Sequence, residues 1–265
     1  MIKVALDWVP NANHVGILLA ALELDGTDGT EFVEFVSPHQ TSYEKTPHQL
    51  VRAGEADIGI GPSESVISSF IEHGQDGIVA IAALIVSDDS AIVTLKSSGI
   101  DTMAKLDGKR YASYSARFEG RIVQSMIKHA GGAGVYEELS PEKLGVFDTL
   151  LDGSYDATWI FCHHEGVIAK RKGVELNVFK LEDHGVPYGY PLVMFKSRAR
   201  TDNDDAIRSF IRRAQRWYEW AARPENQVEA AERMTSKISS LFPDLQIDHE
   251  QLKESVSLAA ETFCD

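Results

Sequence analysis

The sequence predicts an α/β protein of two lobes, with a two-strand hinge and a ligand cleft between the lobes. Strand-like and helix-like patterns alternate along most of the 265 residues, which is typical of sheets covered by helices. The chain is also long for a single hydrophobic core. Its character changes near residues 87–93 and again at 189–197. We interpret these changes as two crossings between lobes.

The first lobe is expected to be discontinuous, with residues 1–88 and 194–265, and the second lobe to cover residues 89–193. A mainly parallel sheet is predicted, because strands and helices alternate. The predicted elements are strands over 2–8, 30–38, 56–61, 77–85, 90–96 and 189–197, and helices over 14–24, 43–55, 62–74, 118–132 and from Asp202 onward. Pro62 is placed in the first turn of its helix, where proline is favoured.

Composition and charge exclude several classes of protein. Hydrophobic residues make up 43% and charged residues 25%, and the formal net charge is −14 from 40 acidic and 26 basic side chains. Such a charge repels phosphate backbones, so no nucleic-acid partner is expected. Two distant cysteines exclude a disulfide framework.

The apolar runs are too short to span a bilayer, so no membrane insertion is expected. No leader precedes "MIKVALDW". The sequence as it stands therefore predicts a cytoplasmic protein. Removal of a leader would instead make the protein periplasmic or extracellular.

The opening stretch "DWVPNANHVG" carries more polar and aromatic side chains than a strand-to-helix connection needs. Trp8 can stack on a planar ring, and Asn11, Asn13 and His14 supply hydrogen-bond donors and acceptors. In α/β folds, ligands gather at loops that follow strand ends. The alternative is structural: Trp8 lies in the core, and Asn13 caps a helix that begins at His14.

A second candidate is the glycine-rich strand exit "GIGPSESV", which leads into a helix. Glu64 either complements the helix dipole in the first turn or pairs with the edge of an aminopyrimidine. These alternatives stay open. The phosphate-loop pattern with its lysine is absent, which disfavours nucleotide hydrolysis.

The predicted second lobe contributes candidates from "DATWIFCHHEG" and "SYSARFEGRIV". Trp159 and Glu165 are expected to face the cleft, unless they are a core tryptophan and a surface glutamate. Ser115 either touches the ligand or caps a helix. Adjacent His163 and His164 point to different sides of a strand or helix, and the spacing of known zinc motifs is absent. No metal site is therefore predicted.

Tyr188 and Tyr190 flank a glycine at the return crossing. Tyrosines at a hinge can close over a bound ring or pad the hinge. We favour the ligand role.

The stretch "LDWVPNANHVG" resembles the opening of bacterial thiamin-precursor (formylaminopyrimidine) binding proteins. These belong to the NMT1/thiamin-pyrimidine-synthase-like group, which has the type II periplasmic-binding-protein fold. "GEADIGIGPSESV" and "DATWIFCHHEG" are similar to two further segments of the group. The resemblance implies an interlobe cleft that holds a planar heterocycle such as a thiamin pyrimidine precursor. It places Trp8, Asn11, Asn13 and His14 in one wall, Glu64 and Ser65 beneath, and Trp159 and Glu165 opposite.

The chain departs from the fungal synthases of this group. Gly61 and Ser65 stand where those enzymes have a lysine and a histidine, and "YGYPLVMF" replaces their cysteine-rich run. These departures favour a binding protein without a cofactor over an enzyme. If the chain is exported, we expect the membrane subunits of an ABC importer as its partners.

Two alternatives remain. The first is a cytosolic enzyme of thiamin pyrimidine (hydroxymethylpyrimidine) biosynthesis that uses pyridoxal phosphate and iron, with His14, His163 or His164 as the reacting group. The second is a protein that binds a sulfonate or another organic anion at helix N-termini.

Overall fold

The computed structural model describes residues 1–21, 33–87, 89–187 and 191–263. Contacts divide the chain into two compact units, Met1–Asp88 with Tyr190–Asp265, and Asp89–Gly189. The strand that starts at Leu192 pairs with strands of the first unit.

The first unit contains a five-stranded sheet in the order β2-β1-β3-β10-β4. Its strands are β1 (Ile2–Ala5), β2 (Val33–Val36), β3 (Ile58–Pro62), β4 (Ile78–Ala83) and β10 (Leu192–Ser197). Strand β1 is parallel to β2 and β3, whereas β10 is antiparallel to β3 and β4. The α/β class is confirmed, and β1, β2, β3 and β4 all run in the same direction, as a mainly parallel sheet requires. The direction of the returning strand makes the sheet mixed.

Helices cover this sheet. They are α1 (Val15–Ala20), α2 (Pro38–Thr41), α3 (Pro47–Arg52), α4 (Ser63–His73), α8 (Asp204–Ala221), α9 (Gln227–Leu241) and α10 (His249–Ala259). Neighbouring strand residues fall in different apolar clusters, Val4 in one and Ala5 in another. Because successive side chains of a strand point to opposite faces, both faces of the sheet are buried.

Helix α1 is buried throughout, because all of its residues from Val15 to Ala20 are apolar or glycine. It packs against α8, and Gly16 lies against the ring of Tyr218 on that helix. A Cβ atom added at Gly16 would lie 2.2 Å from the Tyr218 ring. The sequence therefore needs glycine at this position for close packing.

Replacing Gly16 with alanine is expected to lower the free energy of unfolding. Overpacking a core costs about 1–3 kcal/mol, and the better helix propensity of alanine offsets up to about 1 kcal/mol of this loss. Urea unfolding measures the change. The matched control is Gly145→Ala, because no atom lies within 4 Å of a Cβ added there. Equal stability of the two variants would contradict the close packing.

The second unit has its own five-stranded sheet in the order β7-β6-β8-β5-β9. Its strands are β5 (Ser90–Leu95), β6 (Arg110–Ala112), β7 (Glu137–Leu139), β8 (Ala157–Phe161) and β9 (Leu176–Lys180), and its helices are α5 (Glu119–His129), α6 (Val146–Leu151) and α7 (Val167–Arg171). Strand β6 is parallel to β7 and β8. The loops that follow these three strands therefore leave the same edge of the sheet. Strand β5 is antiparallel to β8, so its first residues lie at that edge too.

Candidate functional site

The opening loop of the first unit is held together by its histidine. The Nε2 atom of His14 lies 2.8 Å from Oδ1 of Asp7, and the backbone N–H of Asn11 donates to Nδ1 of His14 over 3.2 Å. Since Nδ1 accepts a hydrogen bond, the ring proton lies on Nε2 and is donated to Asp7. His14 has no exposed surface. Neither of its nitrogens is left for a ligand, so we assign His14 to holding the loop.

Asn11 also has a structural role that the sequence did not reveal. Its Oδ1 accepts from the backbone N–H of Asn13 at 3.0 Å, and its Nδ2 donates to the Val9 carbonyl at 3.0 Å. Asn11 is thereby the N-cap of the 3-10 turn Ala12–His14 that precedes α1. The alternative that Asn13 caps the helix is wrong, because Asn11 caps the 3-10 turn and His14 is the N-cap residue of α1.

Asn13 is different from its neighbours in the loop. Its backbone carbonyl accepts a hydrogen bond from the Tyr218 hydroxyl of α8. The side-chain Oδ1 is buried and has no hydrogen-bond partner in the described part of the chain. A buried polar atom without a partner costs about 1–3 kcal/mol, and such an atom in a native protein calls for an explanation. Asn13 therefore has unused hydrogen-bonding capacity at its side-chain oxygen, unlike Asn11 and His14 in the same loop.

Trp8 is part-exposed rather than sealed in the core. Its ring centroid lies 5.8 Å from that of Tyr43, with an interplanar angle of 55°. The Tyr43 hydroxyl donates to the Asp7 carbonyl at 2.8 Å. Burial raises the pKa of Tyr43, and the charge of Asp7 raises it further, so the phenol stays neutral. Trp8 and Tyr43 give the loop an aromatic surface.

Glu64 and Ser65 lie in the first turn of α4, directly after β3, and both are part-exposed. A carboxylate is stabilised at this end of a helix by the helix dipole. Pro62 is the last residue of β3 and the N-cap of α4, so the prediction that it lies in the first helical turn is wrong. Contact of Glu64 or Ser65 with a ligand stays a prediction.

In the second unit, the loop after β6 folds around a buried carboxylate. Glu119 accepts hydrogen bonds from the hydroxyls of Tyr111 (2.7 Å) and Ser113 (3.0 Å). It also accepts from the backbone N–H groups of Tyr114 (3.2 Å) and Ala116 (3.1 Å). Glu119 is 3% exposed, and burial raises its pKa above the ordinary value although these donors oppose the shift. This side chain thus binds two backbone amides of the loop that leads into α5.

Ser115 lies in this loop with a left-handed backbone, at a φ angle of 57°. Its N–H donates to the Ser113 hydroxyl at 3.0 Å, and its own hydroxyl is 2.7 Å from that of Ser140. Ser115 therefore joins the loops that follow β6 and β7. Its contact with a ligand stays a prediction.

Trp159 does not lie at a strand end as expected. It is a central residue of β8 opposite Ile92, is 8% exposed and packs in the core of the second unit. The structure thus agrees with the core alternative for this tryptophan. Glu165, six residues on, is 7% exposed rather than a surface residue, and its Oε2 accepts from the Phe161 N–H at 3.0 Å.

The turn after β8 contains a feature that the sequence did not predict. Residues Cys162–Gly166 form one π-helical turn, a conformation that is rare and frequent at functional sites. His163 in this turn is 1% exposed. Both its backbone N–H and its Nδ1 contact Oδ2 of Asp89, at 2.7 and 2.9 Å. Its Nε2 is buried and has no hydrogen-bond partner among the residues that the structure describes.

Sequence reasoning missed Asp89, Glu119 and Tyr43 as parts of these loops. Asp89 and His163 are 74 positions apart, and no local motif connects them.

Tyr188 and Tyr190 lie outside the described residues. In the described ranges, no group of three or more histidine, cysteine, aspartate or glutamate side chains is arranged to hold a metal ion. No described helix is both long and apolar enough to cross a membrane.

Two relatives cover much of this chain. A formylaminopyrimidine-binding protein of Halalkalibacterium halodurans is 27% identical over 98% of this chain and 77% of its own length. A Haemophilus influenzae protein named for thiamine biosynthesis is 25% identical over 68% of this chain. The match spans about half (53%) of the Haemophilus protein.

Solved structures are similar in fold at low sequence identity. The alkanesulfonate-binding protein SsuA of Xanthomonas axonopodis pv. citri, bound to MOPS, is 12% identical, with a TM-score of 0.67 over 97% of this chain and 83% of SsuA. A Candida albicans protein described as having the generic periplasmic binding protein fold is 17% identical, with a TM-score of 0.63 over 99% of this chain and 81% of its own. The periplasmic-binding-protein fold predicted from the sequence is confirmed.

The family model described as NMT1/THI5 like matches residues 33–227, which is more than half of the chain. The matched segment begins after the opening loop, so it does not depend on the motif that carried the resemblance. The chain belongs to the NMT1/THI5-like family.

Proposed function

We propose that this protein binds a small planar amino heterocycle of the thiamin pyrimidine precursor type without transforming it. The observation that carries the proposal is the side chain of Asn13, whose Oδ1 is buried without a partner among the described residues. The other polar side chains of the loop, Asn11 and His14, are used by the loop itself. An amide kept in this state at a cost in stability is explained by a ligand that pairs with it.

An asparagine amide matches the edge of an aminopyrimidine. The amide presents an acceptor oxygen beside a donor nitrogen, and its two ends can exchange places by rotation. An aminopyrimidine presents an amino donor beside a ring-nitrogen acceptor, so two hydrogen bonds can form side by side. Recognition of this kind requires no ionic charge on the ligand.

Trp8 supplies the second part of the proposed recognition. Its part-exposed indole can stack on a flat heterocycle, and aromatic pairs add about 0.5–1.5 kcal/mol beyond the area they bury. Tyr43 supports the indole at 5.8 Å and is itself fixed by its bond to the Asp7 carbonyl. The proposed ligand is therefore both flat and rich in nitrogen.

The alternative of an organic anion is not favoured. Backbone amides at the start of a helix attract anions, but in the loop that leads into α5 Glu119 already accepts the N–H groups of Tyr114 and Ala116 and so places its own negative charge there. The first turn of α4 likewise carries its own carboxylate, Glu64. With a net charge of −14, long-range electrostatics oppose anion binding as well.

The synthase alternative also receives no support. Gly61 stands at the position of the synthase lysine in the resemblance and offers no amine for a Schiff base with pyridoxal phosphate. A Cβ atom at this position would lie 3.2 Å from the ring of Phe195, so a longer side chain would press on β10. The name of the Halalkalibacterium halodurans relative, a formylaminopyrimidine-binding protein, supports binding rather than catalysis.

Isothermal titration calorimetry tests the proposal. We expect saturable binding of formylaminopyrimidine and of 2-methyl-4-aminopyrimidine, with unchanged ligand recovered afterwards. MOPS serves as the anionic comparison and is expected not to bind. Saturable binding of MOPS together with no heat from either pyrimidine would overturn the proposal.

A further inference from the structure

We infer that Nε2 of His163 is a ligand-recognition atom of the second unit, which accepts a hydrogen bond from an N–H group of the bound heterocycle. This inference deepens the proposed function and rests on it. It assigns His163 a role as a specificity-determining residue.

Asp89 fixes which nitrogen of His163 carries the proton. Its Oδ2 lies 2.9 Å from Nδ1 of the ring and also accepts the backbone N–H of the same residue at 2.7 Å. A carboxylate only accepts hydrogen bonds, so the ring hydrogen lies on Nδ1 in the neutral imidazole. The other nitrogen, Nε2, then carries a lone pair and is an acceptor.

This acceptor is fully buried and unused. His163 is 1% exposed, and its Nε2 has no hydrogen-bond partner in the described ranges. The carboxylate, the backbone and the adjacent Phe161 ring (5.8 Å between centroids) hold the imidazole in one orientation. The ring is held through Nδ1, so its Nε2 is already oriented to accept a hydrogen bond from a ligand.

The position of His163 in the fold supports a ligand as that donor. The residue follows β8 at the edge where the loops after β6, β7 and β8 leave the sheet. Ligands of α/β proteins gather at such strand ends. The backbone around His163 is the π-helical turn Cys162–Gly166, a local distortion that proteins use mostly at functional sites.

The chemistry of the acceptor selects the class of ligand. A neutral imidazole nitrogen pairs with an amino or amide N–H. It offers nothing to a sulfonate or carboxylate, which are themselves acceptors. Glu165 in the same turn is 7% exposed and acidic, which also disfavours an anion. His163 would therefore discriminate amino heterocycles from the organic anions that other proteins of this fold bind.

The decisive variant is His163→Asn. Its side-chain nitrogen can take the place of Nδ1 and keep the bond to Asp89, while the Nε2 acceptor is lost. We expect the affinity for 2-methyl-4-aminopyrimidine, whose amino group is its only N–H donor, to fall about tenfold, as one lost hydrogen bond implies. Affinity for 2-methylpyrimidine, which lacks that amino group, should stay unchanged. His129→Asn replaces an exposed histidine of α5 and should alter neither affinity.

Nitrogen NMR of the histidine rings gives a readout independent of the variant's stability. In long-range proton–nitrogen spectra, the Nε2 signal that disappears in His163→Asn should shift when 2-methyl-4-aminopyrimidine is added to the wild-type protein. The inference is overturned if the variant binds both pyrimidines as the wild type does, or loses affinity for both equally. A wild-type protein that binds neither pyrimidine would instead reject the proposed function, and the inference with it.

Discussion

Asn13→Leu is expected to weaken the binding of 2-methyl-4-aminopyrimidine by roughly 30- to 100-fold, while the folded protein keeps or gains stability. Two hydrogen bonds to an amide contribute about 1–1.5 kcal/mol each, and about 1.4 kcal/mol corresponds to a factor of ten. Leucine has nearly the same shape as asparagine but carries no polar atom. It would therefore remove the buried, unpaired Oδ1 without disturbing any side-chain hydrogen bond that the structure shows.

The control for this prediction lies two residues earlier. Asn11→Leu removes the cap of the 3-10 turn and leaves the Asn13 N–H and the Val9 carbonyl without their partners. Losing such a cap costs about 0.5–2 kcal/mol, so this variant should lose stability. Calorimetric titration and urea unfolding of both variants separate the two roles. An Asn13→Leu protein that binds the pyrimidine as tightly as the wild type would remove the basis of the proposed function.

Glu119→Ala is expected to lower the free energy of unfolding by about 2–6 kcal/mol. The estimate takes about 1–3 kcal/mol for each of the two buried hydroxyl donors that lose their acceptor, those of Tyr111 and Ser113. Urea unfolding followed by circular dichroism measures the loss. Glu137→Ala provides the matched control, because Glu137 is an exposed glutamate of the same unit and such changes stay within about 0.5 kcal/mol.

The pH dependence of the unfolding free energy provides a second test of the role of Glu119. Burial raises the pKa of Glu119 above its ordinary value of 4.5, so the folded protein takes up this proton before the unfolded chain does. The stability gained because the folded state binds this proton more tightly is thus fully present below pH 4.5. It is lost as the pH rises through the folded-state pKa. Glu119→Gln should remove this contribution. An unfolding free energy with the same pH profile in wild type and Glu119→Gln would contradict the assignment.

Local patterns were sufficient to predict much of the architecture. The order of strands and helices follows from periodicity and from breaks in composition. The direction of β10 could not be predicted this way, because it depends on which neighbours the strand meets after it returns. The antiparallel strand within this mainly parallel sheet was for this reason not predicted.

The candidate site could likewise be predicted only in part from the sequence. The sequence identifies the opening loop as chemically unusual, but it cannot say which polar groups the loop consumes. Asn11 and His14 turn out to serve the loop, whereas the Asn13 Oδ1 has no hydrogen-bond partner among the described residues. Trp159 looked like a cleft residue because β8 ends nearby, yet its side chain points into the core. The partnership of Asp89 with His163 joins distant positions and is visible only in three dimensions.

The Tyr218 hydroxyl reaches the Asn13 carbonyl across 205 positions, and the ring of the same tyrosine covers Gly16. Substitutions in and beside the opening loop are consequently constrained by the residue at position 218. Positions 16 and 218 should covary in aligned family members, so that a bulkier residue at 16 appears with a smaller one at 218. A fragment that ends before α8 would lack the tyrosine that contacts the loop, even though it contained every residue of the loop.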